Sequence, residues 1–323
     1  MIRTPLTERL GITYPIIQAG MGGVARAELV AAVSNAGGLG VIGAGFMSPA
    51  QLREEIRKVK DLTDKPFGVD LLLARDWPGQ EEMIEVIIEE RVPVFASGLG
   101  NPAPYVEALH QAGITVMAVV GTVRHARRVV EGGTDIVVAQ GTEGGGHTGR
   151  IATLALVPQV VDAVAPTPVV AAGGIADGRV LVAALALGAC GVWVGTRFVA
   201  THEAFAHQNY KQKILQATEE DTVVTRAFTG KDCRVIRNRY VELWQDRQAE
   251  IQPFPFQMMV DPEKMEAAVL HGDTDMGIML AGQIAGAVRE VKSAGDIVRE
   301  MMEEAKAVLS RLAERYAGLR KAP

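Results

Sequence analysis

Two cysteines in 323 residues, Cys190 and Cys233, leave nothing from which to build a disulfide framework. Cys190 sits in GACGVWVG, just ahead of an apolar run, where a thiol serves as a small hydrophobe; Cys233 lies in the polar stretch GKDCRVI and is assigned no role. Aromatic residues are scarce at 5%, although hydrophobic residues make up 48%. The apolar mass is therefore Ala, Val, Leu and Ile, the stock of buried parallel strands and the helices that cover them. No basic stripe exists: Lys and Arg are scattered over helical faces and the formal charge is −5, which argues against nucleic acid as a main partner. The apolar runs are broken by Gly, Pro or charge before they reach a bilayer-spanning length. The first residues, MIRTPLTERLGITYP, contain no apolar signal core. A cytoplasmic protein with no membrane partner is the expectation. Clusters of His, Cys and carboxylates at metal-ligand spacing are also missing; His202 and His207 stand five apart, a poor spacing for one site. Neither a G-x-S-x-G elbow nor a P-loop occurs.

What is present is a rhythm of short apolar run, glycine or polar loop, and amphipathic helix. Candidate strands are 15–18, 39–43, 67–73, 92–97, 114–120, 135–140, 168–173 and 191–195, with helices such as 25–36, 48–62, 80–91, 102–112, 122–132 and 177–187 between them. Eight such units predict an α/β fold of the closed (β/α)8 TIM-barrel kind, in preference to an open doubly wound sheet, because chemistry-bearing residues follow several different strands. After Thr196 the rhythm breaks. Residues 203–217 read as a helix and 218–276 as mixed and polar, so 203–276 is expected to be a small inserted cap on a barrel formed by 1–202 and 277–323. From 276 the Gly- and Ala-rich MGIMLAGQIAGAV is expected to return to helix, and 295–317 to form a charged amphipathic one.

Four loops carry the candidate chemistry. GLGVIG at 38–43 matches the dinucleotide fingerprint literally, but a helix precedes it and its glycines bracket a strand, so packing explains them and a Rossmann site is rejected. After the seventh and eighth strands come AAGGIADG (171–178) and VGTRF (194–198), the loops that bind phosphate in many barrels. Gly173 and Gly174 let the backbone approach a ligand, and Gly195 with Thr196 add an amide and a hydroxyl; nothing in these loops separates FMN from a sugar phosphate. QGTEGGGHTG (140–149) follows the sixth strand and places His147 at the barrel mouth behind three glycines, a backbone able to pass flat against a planar ligand. An imidazole there can move a proton near neutral pH or hydrogen-bond a developing negative charge. Glu143 is either its partner or a loop-ordering group. QAGMGG (18–23) puts Met21 at the same mouth, as packing or against a flat ring.

In this order PIIQAGMGG, NAGGLGVIG, KPFGVDLLL, QGTEGGGHTG, VVAAGGIADGR and VGTRFVAT resemble the nitronate monooxygenase (formerly 2-nitropropane dioxygenase) family, whose superfamily includes the flavin-dependent type II enoyl-ACP reductases. The resemblance spans nearly the whole chain. It implies an FMN-bearing barrel with a small second domain, a small-molecule substrate, and room for a homodimer. FMN would contact Met21, Gly22 and Gln140, with Gly145 and Gly146 near the ring. Gly173, Gly174, Gly195 and Thr196 would hold the phosphate, Gly282 and Gln283 would approach it, and His147 matches the active-site histidine. Where the family usually has a GVN-type motif whose amide touches the flavin, this chain has Asp70. An anionic acceptor there disfavours reduced, anionic flavin unless it is protonated or paired. Gln140-Gly141 is similar to many nitronate monooxygenases, whereas the length and the segment 271–286 look more like the reductases. The resemblance thus implies oxidation of alkyl nitronates with dioxygen first. NADH- or NADPH-driven reduction of an enoyl thioester comes second, and a non-redox sugar-phosphate barrel a distant third.

Overall fold

The computed structural model describes residues 2–74 and 79–317. Eight parallel strands, Ile16–Gln18, Gly40–Gly43, Phe67–Leu72, Val94–Leu99, Thr115–Val120, Ile136–Gln140, Val169–Ala172 and Gly191–Val194, follow one another around a single sheet. The first and second strands meet as well: Gln18 N donates to Leu39 O at 2.9 Å and Leu39 N to Ile16 O at 3.0 Å. The sheet is thereby closed into a (β/α)8 barrel, and the open-sheet alternative is gone.

The strands are short, largely apolar runs in which buried Gln18, Asp70 and Ser97 are polar exceptions, and alternation divides their side chains. Ile17, Val41, Ala96, Met117, Val138, Val170 and Trp193 fill the barrel's interior cluster, beneath which Leu6 and Leu10 of the helix Pro5–Leu10 close the lower end. The alternate positions pack outward against the helices. Helix starts obey ordinary capping: Ser48, Thr122, Asp177 and Ser293 each accept a backbone N–H of the first turn. The literal fingerprint at 38–43 is packing, as expected, for a Cβ on Gly40 would stand 2.7 Å from the Val30 carbonyl carbon.

Two readings need correction, and one helix is added to those expected. A helix at Thr153–Val164, which contains Pro158, follows the sixth strand and was not singled out in the sequence. The helix expected at 203–217 is confined to Gln208–Gln216. The segment from 276 is not a helix: it runs irregularly, then makes a short 3-10 turn, Gln283–Ala287. Its glycines serve close approach instead, since a Cβ on Gly282 would lie 2.5 Å from the Glu143 carbonyl oxygen.

Residues 203–276 contribute two strands, Thr222–Thr225 and Cys233–Ile236, to a three-stranded antiparallel sheet whose third member is Gly146–His147 from the loop after the sixth barrel strand. The last helix, Ala294–Arg315, lies against Gly178–Ala186, where Gly178 N donates to Glu304 Oε2 at 2.8 Å. Among the described residues no helix is long and apolar enough to cross a membrane.

Candidate active site

The carboxyl ends of the barrel strands open into a cavity of about 1270 Å³, its mouth included. Met21, Gly22, Asp70, Gln140, Gly145, Gly146 and His147 line this space, and so do Gly173, Gly174, Gly195, Thr196 and Gly282. Of the residues singled out in the sequence only Gln283 stays outside. Its side chain is exposed and its backbone N–H donates to the Glu143 carbonyl at 3.0 Å.

At one end Gly173 and Gly174 hold φ of +96° and +72°, a region L side chains resist. Beside them the helical turn Thr196–Val199 starts at the end of the eighth strand, so its first N–H groups have no carbonyl partner within the turn. The Thr196 hydroxyl accepts from Gly282 N at 2.9 Å and keeps its own hydrogen to donate.

The loop at 140–149 is held from several sides. Gln140 Nε2 donates to the His147 carbonyl at 2.6 Å, and Cys233 pairs with His147 in the small sheet. The absent Cβ of Gly145 is required by packing as well, because it would meet the Ala281 carbonyl carbon at 2.7 Å. Glu143 proves to be the loop-ordering group: its carboxylate accepts from Thr153 N at 3.0 Å and Thr153 Oγ1 at 2.9 Å, and so caps the helix Thr153–Val164, whose N-cap Ala152 has no side-chain acceptor. Glu143→Gln, which replaces a charged acceptor, should cost about 1–2 kcal/mol. Thermal melting checks this, and hydrogen exchange should quicken at 141–149 before it does elsewhere; a loss of stability with unchanged loop protection would point to another role.

His147 meets the protein through Nε2, 2.9 Å from Thr229 Oγ1, and its ring stands edge-on to Phe254 at 5.8 Å between centroids. Thr229 Oγ1 also accepts from Lys231 N at 3.3 Å, and its one hydrogen can go to Nε2 or to Lys231 O at 3.5 Å. Nδ1 has no protein partner among the described residues, and the direction in which the Thr229 hydroxyl points sets which ring nitrogen carries the proton. Part of the residue faces the open cavity, but the protein around the ring is dense. Burial, reinforced by the Lys231 charge, lowers its pKa to about 4, so His147 is neutral at physiological pH.

Thr229, Phe228 and Cys233 line the cavity without any signal in the sequence that marked them. Thr229 is 82 residues from the histidine it touches, a separation that leaves no local pattern to read. Cys190 behaves as expected, buried with its thiol donating to Val169 O at 3.1 Å. Cys233, though set in a polar stretch, is fully buried. Among the described residues no His, Cys, Asp and Glu gather closely enough to hold a metal ion.

A family model described as nitronate monooxygenase matches residues 3–82 and 77–304. The chain belongs to the nitronate monooxygenase family. It is therefore an oxidoreductase, in a family that works with flavin. Among solved structures it is similar to FabK from Thermotoga maritima, with 41% identity and a TM-score of 0.92 over 98% of this chain and 100% of that one. Among curated proteins it is 39% identical to a probable nitronate monooxygenase of Staphylococcus haemolyticus, over 86% of this chain and 90% of the relative. It is also 36% identical to the (3aS,4S,5R,7aS)-5-hydroxy-7a-methyl-1-oxo-octahydro-1H-indene-4-carboxyl-CoA dehydrogenase of Mycobacterium tuberculosis, over 94% and 96% respectively.

Proposed function

We propose that the protein is an FMN-dependent oxidoreductase that reduces an uncharged, largely apolar unsaturated thioester, with NADH or NADPH as the source of electrons. Charge carries this reading over nitronate oxidation. Among the described residues no Lys or Arg lines the cavity, and His147 is neutral there. An anionic nitronate would meet no cation in the cavity wall itself, since the Lys231 charge that acts on His147 sits over the Phe254 ring and not in that wall, whereas a thioester carbonyl needs only a hydrogen-bond donor. The wall formed by Phe46, Phe228, Met258 and Met265 suits an apolar chain.

The residues fit a flavin mononucleotide. Gly173, Gly174 and the first turn at Thr196 offer backbone donors to a phosphate, which needs no side-chain cation there. The glycines at 144–146 leave the cavity wall bare of side chains where a flat ring would lie. When bound, FMN supplies the hydride transfer, and the chain supplies binding, orientation and polarity. With the Thr229 hydrogen turned to Nε2, His147 carries its own proton on Nδ1 and offers it to the substrate oxygen, while Thr229 fixes the ring. In this reading residues 1–202 and 277–323 are the flavin-bearing barrel and 203–276 covers the substrate.

Anaerobic mixing of the purified yellow protein with NADH, NADPH or an alkyl nitronate tests it. Bleaching of the flavin by a reduced nicotinamide, with consumption of an enoyl thioester, is the expected result. Bleaching by the nitronate alone, reversed on admitting air, would assign nitronate oxidation instead. A colourless protein that takes up no flavin would sink both.

A further inference from the structure

Asp70 is an acid in a place built for a neutral group. It lies on the third barrel strand between Val69 and Leu71, both packed into the outer layer, so alternation turns its side chain toward the barrel axis where the cavity opens. The residue is only 7% exposed and Oδ1 has no hydrogen-bond partner. Two glycines make its space: a Cβ on Gly98 would stand 2.6 Å from Oδ1, and one on Gly20 2.5 Å from Oδ2.

No cation answers the acid. The neighbouring elements present Gly20 and Met21 after the first strand, Gly43 at the end of the second, and Ser97 and Gly98 on the fourth, none of them titratable. Across the cavity the titratable side chains are Glu143, His147, Tyr210 and Cys233. None of these shifts the carboxyl: burial pushes it well above the usual carboxylate range, and only the Gly98 backbone amide opposes that. An ionised carboxylate so placed lacks solvent, a counter-ion and a full set of donors.

We propose that Asp70 is a neutral carboxylic acid in the working protein and donates its O–H to a hydrogen-bond acceptor on the bound flavin ring. The inference rests on the FMN reading above. It changes the sense of this position, because a neutral donor favours negative charge building up on the ring and an anionic acceptor opposes it.

The test compares wild type with Asp70→Asn, which keeps a donor but cannot ionise, and Asp70→Ala, which keeps neither. The dissociation constant of FMN is read from flavin fluorescence between about pH 6 and pH 9. Wild type should bind as tightly as Asp70→Asn at the acid end and weaken relative to it only at a pH where the carboxyl ionises; Asp70→Ala should bind about tenfold more weakly at the acid end. Any ionisation of the flavin itself appears in all three proteins and cancels in the ratios. Infrared spectra should show a carboxylic-acid carbonyl band in wild type, with or without FMN, that Asp70→Asn lacks. Affinity that rises with pH relative to Asp70→Asn, or a missing acid band at neutral pH, would each overturn the proposal; parallel profiles with the acid band present mean that the carboxyl stays neutral over the whole range and support it. Should Asp70→Asn fail to fold, the wild-type band and profile still decide. A wild type that takes up no FMN at any pH would instead remove the flavin reading, and this donor role with it.

Discussion

Replacing His147 with alanine should lower turnover by about 10²–10⁴-fold, the usual worth of a positioned proton donor or acceptor, while the protein stays yellow. The two effects separate because different atoms are responsible for them. The loop that carries His147 is held through its backbone, by the Gln140 side chain on the His147 carbonyl and by pairing with Cys233. Neither contact uses the imidazole, so the wall facing the flavin survives its loss. Thr229→Val removes the hydroxyl that orients the ring and should lower turnover less, about tenfold, with kcat affected more than KM because the ring still occupies its place. Steady-state rates, together with the ratio of flavin to protein absorbance, check both variants. Full activity in His147→Ala would take the residue out of the mechanism. A colourless variant would show that the ring, and not the backbone, holds the cofactor wall.

The barrel was legible because its periodicity is local. Each of the eight strands is a short apolar run, and a glycine or a capping Ser, Thr or Asp marks the boundaries between units, so element type and order follow from windows of about ten residues. His147 was legible for the same reason, since a glycine run and a strand end frame it. The failures share a physical cause. Ala- and Gly-rich 276–288 carries a composition that suits a helix or a close-packed irregular segment equally, and contact with Glu143 and Gly145, more than 130 residues earlier, decides for the second. Thr229 and Cys233 owe their place beside His147 to a sheet built from two distant segments. Gln283 was placed at the cavity by the family pattern, but the turn it begins points its side chain to solvent.

Two buried groups of opposite character give the protein a stability profile that single variants should unmask. His147 stays neutral in the fold down to about pH 4, whereas an unfolded histidine takes its proton near pH 6.5. Unfolding therefore draws in a proton through that window, and on His147's account the fold loses up to about 3 kcal/mol as pH falls from 6.5 to 4. Asp70 works in the other direction. Its carboxyl is neutral in the fold and ionises in the unfolded chain above the ordinary carboxylate range, so unfolding releases a proton and stability falls as pH rises. Over the window the two share, the slopes oppose each other. Glu90 enters only at the acid edge of this window. Burial pushes its carboxyl up, but hydrogen bonds from Lys60, Arg57 and Arg53 overcome that and hold it at about 2, so its contribution is lost only below the pH where an unfolded glutamate protonates. Urea unfolding of wild type from pH 6.5 to 4 should thus lose less on account of this pair than the histidine alone would cost. Asp70→Asn should be the more stable protein at pH 6.5 and lose up to about 3 kcal/mol on the way to pH 4, as the histidine's slope stands alone. His147→Gln should show the reverse, losing stability as pH rises. Parallel profiles for wild type and both variants would mean that neither group is neutral in the fold, and the charge argument that selects a thioester over a nitronate would fall with them.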